Sequence, residues 1–424
     1  MSTVPCETSG PTVAPLLDRI RTLGPLPFAV LFAAFFSPYF LIAYLVQTFW
    51  ALSGLVSGDG VNLGHDFIAF YSGASIALNG DAASAYDHAA MHAVQQQVIG
   101  APVKFFPWFY PPVMLMFVAP LAFLPYPAAF ALWVLVPLVA LLLVIWRYAG
   151  HVLASAAILI FPGTLQSVLS GQNGVLSALI IAGGLLNLER RPVLAGAILG
   201  LLSYKPHIAA AVYGALLIGR YWRALATAIG VALALAAASV VVLGPEPWTA
   251  FLRETQVAKA FTEDGRLPWV FMATTFAAAR LAGLGVSASY ALQAAVSCGA
   301  LLALFVVWRR REIPLEQRAA VLVTVIPLTT PYAFSYDLAI LGIALLWLVR
   351  TGFETRFRHH EPVVFALAWV IALTGWMLAK ASGVLLTPIV LVALLAVLLH
   401  RILHRGPIAP AASIAIQNDK FTSG

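Results

Sequence analysis

A chain of 424 residues that is 61% hydrophobic and only 10% charged, with a mean hydropathy of +0.92, cannot cover a soluble surface, since soluble domains carry roughly 25% charged residues. Lipid removes that difficulty, so the composition excludes a soluble enzyme and predicts an all-α polytopic membrane protein. The net charge of +7 does not mark a nucleic-acid partner, because the basic residues fall as short clusters between apolar runs rather than as one patch. The 2 cysteines, Cys6 and Cys298, lie far apart, one ahead of the first apolar run and one inside a later run. Neither a disulfide nor a zinc site is expected from them.

In chain order, a basic tail over 1–25 with Arg19 and Arg21 precedes an apolar run over 26–56, too long for a signal-peptide core and read as an uncleaved first span. A polar stretch over 57–107 follows. It holds Asp59, His65, Asp66, Asp81, Asp87 and His88 against a single Lys104. Basic residues before the span and acidic ones after it place the N-terminus in the cytoplasm and this first loop outside. Apolar runs then recur at 111–124, 128–146, 152–169, 175–188, 193–203, 208–218 and 224–243. A second polar loop over 244–267 precedes runs at 287–308, 319–331, 338–349, 363–378 and 384–399. Arginine clusters at 147, 190–191, 220–223, 309–311, 350–358 and 401–405 fit one cytoplasmic face only if 111–124 dips in and returns, or lies on the surface. About 12 crossings result, within a membrane domain over 26–405 flanked by cytoplasmic tails over 1–25 and 406–424. The runs 193–203 and 208–218 are each short for a crossing. They are bounded by arginines at their far ends, with Tyr204, Lys205, Pro206 and His207 between them. Two interrupted helices with Lys205 at the outer tip are expected, a pattern that often carries polar groups into a membrane protein.

Asp66 sits just beyond the first span, next to His65 and followed by the aromatic stretch Phe67-Ile68-Ala69-Phe70-Tyr71. A carboxylate partly desolvated at such a boundary has raised basicity and suits a general base that takes a proton from a sugar or lipid hydroxyl. A plain solvated loop acid remains the alternative. Lys205 is the only lysine between Lys104 and Lys259. An intramembrane cation is costly and usually has a partner, for which a lipid phosphate is a candidate and snorkelling to the interface the alternative. Gly171-Gln172-Asn173-Gly174 is either a capping turn or a pair of amides for a sugar. Pro331-Tyr332-Ala333-Phe334-Ser335-Tyr336-Asp337 is either an interfacial belt or a second acidic and aromatic group at a site. The histidine pairs His88/His92 and His400/His404 have helical spacing but no third ligand or intervening glutamate, so they are read as interfacial residues.

Taken together these pieces resemble glycosyltransferase family 87, the bacterial relatives of polyprenol-phosphate-mannose-dependent mannosyltransferases with a GT-C fold. The resemblance covers 63–340. It is carried by Asp66-Phe67 with Tyr71, Gly80 with Ala85-Tyr86-Asp87, and Tyr110-Pro111-Pro112 with Pro120-Leu121 and Trp133. Further pieces are Gly171-Gln172-Asn173, the run 195–200 leading to Lys205-Pro206, and Pro331 with Ser335-Tyr336-Asp337. Two segments depart from it. Met272-Ala273-Thr274-Thr275-Phe276 stands where relatives often carry Asn-Gln-Ser, and Tyr336-Asp337 where they often carry Trp and His. The resemblance implies a GT-C-like bundle with a large first extracytoplasmic loop, in the bacterial inner membrane. It implies Asp66 as catalytic base and a hexose, mannose first, carried on a polyprenyl phosphate and moved with inversion to a lipid or glycan acceptor on the outer face. Lys205 and His207 are then candidates for contacting the donor phosphate. His65, Tyr71, Tyr110, Gln172, Asn173, Tyr336 and Asp337 are candidates for binding substrate. The chain has no Asp-x-Asp pair and no phosphate-cradling glycine motif, so neither a cofactor nor an obligatory metal is expected. A transporter or flippase of a lipid-linked or small substrate would also use broken helices and a buried lysine. A purely structural membrane subunit would leave these polar motifs idle.

Overall fold

The computed structural model describes residues 64–404, except His151, Arg356 and His359. The expected first span over 26–56 and both tails lie outside the described residues. Among those described, every regular element is a helix, and the only β-pairing is an isolated antiparallel bridge between Met272 and Phe334.

The stretch expected as the first polar loop is itself helical. Helix α1 (Phe67–Leu78) is followed by a 3-10 turn (Ala82–Tyr86) and α2 (His88–Ile99). Asp87 caps α2 by accepting from the amide of Ala90 at 2.8 Å, and Gly100, at φ +73°, ends it in the left-handed conformation glycine adopts without penalty. The next apolar run is short: α3 (Pro112–Val118) passes directly into a 3-10 turn (Ala119–Phe123). Helix α4 (Tyr126–Ala149) is a full span. Helices α5 (Val152–Ile160) and α6 (Pro162–Ser170) form an apolar pair bent by 59°, because Pro162 starts a new helix and denies the donor that would continue the old one. Helix α7 (Gly174–Asn187) follows. Helices α8 (Pro192–Gly200) and α9 (Pro206–Ile218) flank a 3-10 turn (Leu201–Tyr204) and Lys205, and α10 (Trp222–Leu243) is again a full span. The far ends of α8 and α9 meet, since the Tyr221 hydroxyl donates to Glu189 at 3.2 Å. The two helices therefore form a hairpin with Lys205 at its turn.

The second polar loop contains α11 (Glu246–Glu263), whose first turn carries Glu246 at the positive end of the helix dipole. It packs on the first loop: Tyr86 meets Phe251 at 6.2 Å between ring centroids, and His88 Nε2 lies 2.6 Å from the buried Glu254 carboxylate. After α12 (Thr275–Leu281), α13 (Val286–Trp308), α14 (Leu315–Leu328), α15 (Leu341–Thr355, extended by the 3-10 turn Ser335–Ile340), α16 (Glu361–Ser382) and α17 (Thr387–Leu403) complete the bundle. Among the described residues, five helical stretches are long and apolar enough to cross a membrane: Tyr126–Ala149, Trp222–Leu243, Val286–Trp308, Ser335–Gly352 and Glu361–Ser382, and the bent α5–α6 pair makes a sixth when counted as one span. The other apolar helices run 10–17 residues, short of the ~20 that a 30 Å hydrocarbon layer needs. The expected count of about 12 is thus reached by full-length helices in only part.

Lipid-facing surfaces follow the composition. Helix α10 buries only Ala224, Ala228 and Ser239 and turns Val241 outward at 85% exposure. A helix apolar all round, with its small residues inward, packs by close approach and presents its branched side chains to lipid. The arginine clusters sit at the opposite end from Lys205. Arg318 is buried and reaches Glu189 at 2.8 Å and the Tyr221 hydroxyl at 2.9 Å. Arg401 forks onto Glu361 at 2.6 and 2.8 Å. Cys298 is a free, exposed thiol on α13.

Candidate active site

The first, second and last polar segments converge on one cavity of about 430 Å³. Its walls include His65 and Asp66 ahead of α1, Lys104 and Tyr110 from the extended segment after α2, and Gln172 from the turn between α6 and α7. Lys205 and His207 come from the tip between α8 and α9, Arg266 from the segment after α11, and Tyr336 and Asp337 from the 3-10 turn before α15.

Asp66 is fixed from two sides. Its backbone amide donates to the Ser170 carbonyl at 3.0 Å, which ties the start of α1 to the end of α6. Its carboxylate accepts from Gln172 Nε2 at 3.0 Å, while Gln172 Oε1 accepts from the Tyr110 hydroxyl at 3.1 Å. The tyrosine thus holds the amide with its nitrogen toward Asp66. Beneath Asp66 lies a packed aromatic group. Phe67 meets Tyr126 at 5.2 Å and Phe130 at 5.4 Å, and Phe70 meets Trp133 at 5.0 Å and Trp108 at 5.8 Å. Burial among these rings holds the Asp66 carboxyl above the usual carboxylate range. The positive field of His65, the Gln172 hydrogen bond and the field of Lys104 oppose that rise without cancelling it.

The Gly171-Gln172-Asn173-Gly174 motif serves two ends at once. Gly171, at φ +71°, closes α6 in the left-handed region, and its carbonyl accepts from Trp133 Nε1 at 2.9 Å. A side chain on Gly174 would begin 2.0 Å from the Tyr336 carbonyl oxygen, so only glycine lets α7 start against the turn that carries Asp337. Between these glycines the two amides are aimed at different partners: Gln172 at Asp66, and Asn173 at Lys205.

Lys205 is buried, and its ammonium has two partners. It donates to Asn173 Oδ1 at 2.7 Å and forms an ion pair with Asp337, which in turn accepts from the Phe334 amide at 3.0 Å. The Tyr336 ring lies 5.2 Å from Nζ and stacks on Phe334 at 5.4 Å. Two acceptors leave one of the three ammonium N–H bonds for a ligand. His207 Nε2 is buried without a hydrogen-bond partner beside the same cavity.

The structure therefore gathers His65, Asp66, Tyr110, Gln172, Lys205, His207, Tyr336 and Asp337 in one wall, with Asn173 one bond behind it. Tyr71 is elsewhere. Its hydroxyl donates to the Leu124 carbonyl at 2.8 Å, and it borders a separate cavity of about 310 Å³ with Ser75, Asn79, Gln97 and Tyr126. Its position five residues past Asp66 places it about 140° around the helix, so its side chain points away from the main cavity, whereas Ala69 and Phe70 line that cavity. The histidine pairs also part company: His88 goes to Glu254 and His92 Nε2 to the Val103 carbonyl at 2.9 Å, while His400 and His404 stack at 4.7 Å. Lys104 and Arg266 were not singled out from the sequence as site residues. A lone lysine in an acidic loop, set beside Phe105-Phe106, was the available signal for the first.

A sequence model of glycosyltransferase family 87 matches residues 108–331. No curated protein and no solved structure matches the chain. The matched stretch contains Tyr110, Gln172, Asn173, Lys205, His207 and Arg266, and stops short of Asp66 on one side and Asp337 on the other. It covers more than half of the chain, which therefore belongs to glycosyltransferase family 87.

Proposed function

We propose that this membrane glycosyltransferase moves a hexose, mannose first among the candidates, from a polyprenyl-phosphate donor to a lipid or glycan acceptor on the outer face of the bacterial inner membrane. The observation that carries this reading is Asp66, held by Gln172 in a cavity that Lys205 and His207 also line. In the proposed step the acceptor O–H gives its proton to the Asp66 carboxylate, and the acceptor oxygen attacks the anomeric carbon. The bond from that carbon to the phosphate oxygen breaks, and the electron pair leaves on polyprenyl phosphate. One displacement inverts the anomeric configuration. The remaining N–H of Lys205 and the unpartnered His207 Nε2 hydrogen-bond the leaving phosphate, where charge develops. Tyr336 and Asp337 meet the sugar, and His65 and Tyr110 border the acceptor. No obligatory metal is invoked.

The test is transfer from a short-chain polyprenyl-phosphate mannose by purified protein in detergent with EDTA. Asp66→Asn keeps the side chain's size and an acceptor for Gln172 but removes the base, so kcat is expected to fall roughly 100- to 10,000-fold with the protein still monodisperse. Near wild-type transfer by that variant removes the mechanism. The transporter reading predicts no transfer in detergent, where there is no gradient to use.

A further inference from the structure

Among the described residues, five side chains of formally charged type, histidines aside, line the cavity: Asp66, Lys104, Lys205, Arg266 and Asp337. Lys205 and Asp337 cancel, being paired with each other and both buried. The inner end of the cavity therefore offers hydrogen bonds but no net charge. What remains is Asp66 against Lys104 and Arg266, a surplus of one positive charge. Both cations are exposed, whereas Lys205 is not, so the surplus sits at the mouth.

The two come from different polar segments. Lys104 follows α2 and Arg266 follows α11, and those helices are tied by the His88–Glu254 contact. The Arg266 guanidinium lies 3.9 Å from the centre of the Phe261 ring, which itself meets Phe109 of the cavity wall at 5.9 Å. Among the described residues its ion pair is with Asp264 at 2.8 Å, and both side chains of that pair are more than half exposed. A pair in water holds its partners weakly and yields readily to a ligand. Lys104 acts on the site already, because its field opposes the desolvation of Asp66.

We propose that Lys104 and Arg266 form an electrostatic gate at the cavity mouth that takes up the single negative charge of a phosphodiester and disfavours a diphosphate carrier. The inference rests on the lipid-phosphate donor reading above. One phosphodiester charge balances the surplus, and a second leaves the cavity negative beside Asp66. The division of labour follows: Lys104 and Arg266 supply charge and steering from outside, while Lys205 and His207 supply directed hydrogen bonds from inside.

Binding of farnesyl methyl phosphate (the monophosphate, a phosphodiester with a single negative charge), of the corresponding methyl farnesyl diphosphate and of farnesol to the purified full-length protein, measured by thermophoresis at low and high salt, tests the gate without requiring transfer. Wild type is expected to bind the monophosphate best and to lose affinity as salt rises. Lys104→Gln and Arg266→Gln should each weaken monophosphate binding about tenfold, and the double variant about 100-fold with a flattened salt dependence, leaving farnesol unchanged. Asp66→Asn should tighten the monophosphate. If wild type prefers the monophosphate to farnesol but the double variant matches wild type in affinity and salt slope, the gate is overturned and the donor reading stands. Wild type that does not distinguish monophosphate from farnesol overturns both. Diphosphate bound as tightly as monophosphate overturns the selectivity.

Discussion

At the scale of the residue, the Asp66 carboxylate is a balance of opposed effects. Burial raises its pKa, while His65, the Gln172 hydrogen bond and Lys104 lower it, and burial prevails. The base works only when deprotonated, so activity should fall as pH drops through a value above the ordinary carboxylate range. Removing the Gln172 hydrogen bond withdraws support from the charged form and raises that value further. Gln172→Leu is therefore expected to move the acid limb of the kcat/KM profile to higher pH, with the plateau less affected than in Asp66→Asn. A profile whose acid limb stays in place under Gln172→Leu would show that another group titrates there. Asp66 itself was legible in the sequence, as an acid next to an aromatic stretch beyond an apolar run. Its amide partner was not, because Gln172 lies 106 positions away and nothing in a linear pattern says which of several amides a fold will deliver. The same limit applies to Tyr71, whose aromatic character suited a sugar while its helical phase turned it elsewhere.

At the scale of the element, the broken pair α8–α9 carries a buried ion pair to the cavity. Losing one member of such a pair strands the other charge out of water, at a cost of about 3–5 kcal/mol, whereas replacing both by apolar groups is often close to neutral. Lys205→Ala should lower the thermal midpoint in detergent and weaken donor use together. Lys205→Leu with Asp337→Leu should recover much of the thermal midpoint and none of the activity. Recovery of both would make the pair a packing device alone, and a stable single variant would show that Asp337 has a second counter-charge. The short lengths of these helices were visible in the sequence through the arginines at their far ends. The partner of Lys205, 132 positions on, was visible only as an acid in an aromatic belt. The full-length spans were easier, since α4, α10, α13 and α16 are set by uninterrupted apolar runs and match the expected bounds within a few residues. The second polar loop concealed α11 because its mixed polar sequence covers an outer surface and buries few residues, among them Pro247, Glu254 and Thr262.

At the scale of the whole molecule, charge separates the two ends. The buried arginines Arg318 and Arg401 and the clusters around them mark one face, and the cavity with its two packed polar segments marks the other. The positive-inside rule then predicts an outward-facing cavity. In a background with Cys6→Ser and Cys298→Ala, cysteines at Ser84 and Thr249 are expected to react with an impermeant thiol reagent in intact cells, and one at Arg310 only after permeabilisation. Labelling at Arg310 in intact cells would invert the orientation and with it the side from which both substrates arrive.

The ion pair between positions 205 and 337 also bears on inheritance. Either residue changed alone leaves its partner as a buried lone charge, so a change at one position is expected to favour a compensating change at the other although 132 residues separate them. A lineage that alters the inner end of this cavity passes through a handicapped intermediate or changes both codons. Variation in the sugar accepted here should accordingly begin at neighbours outside the pair.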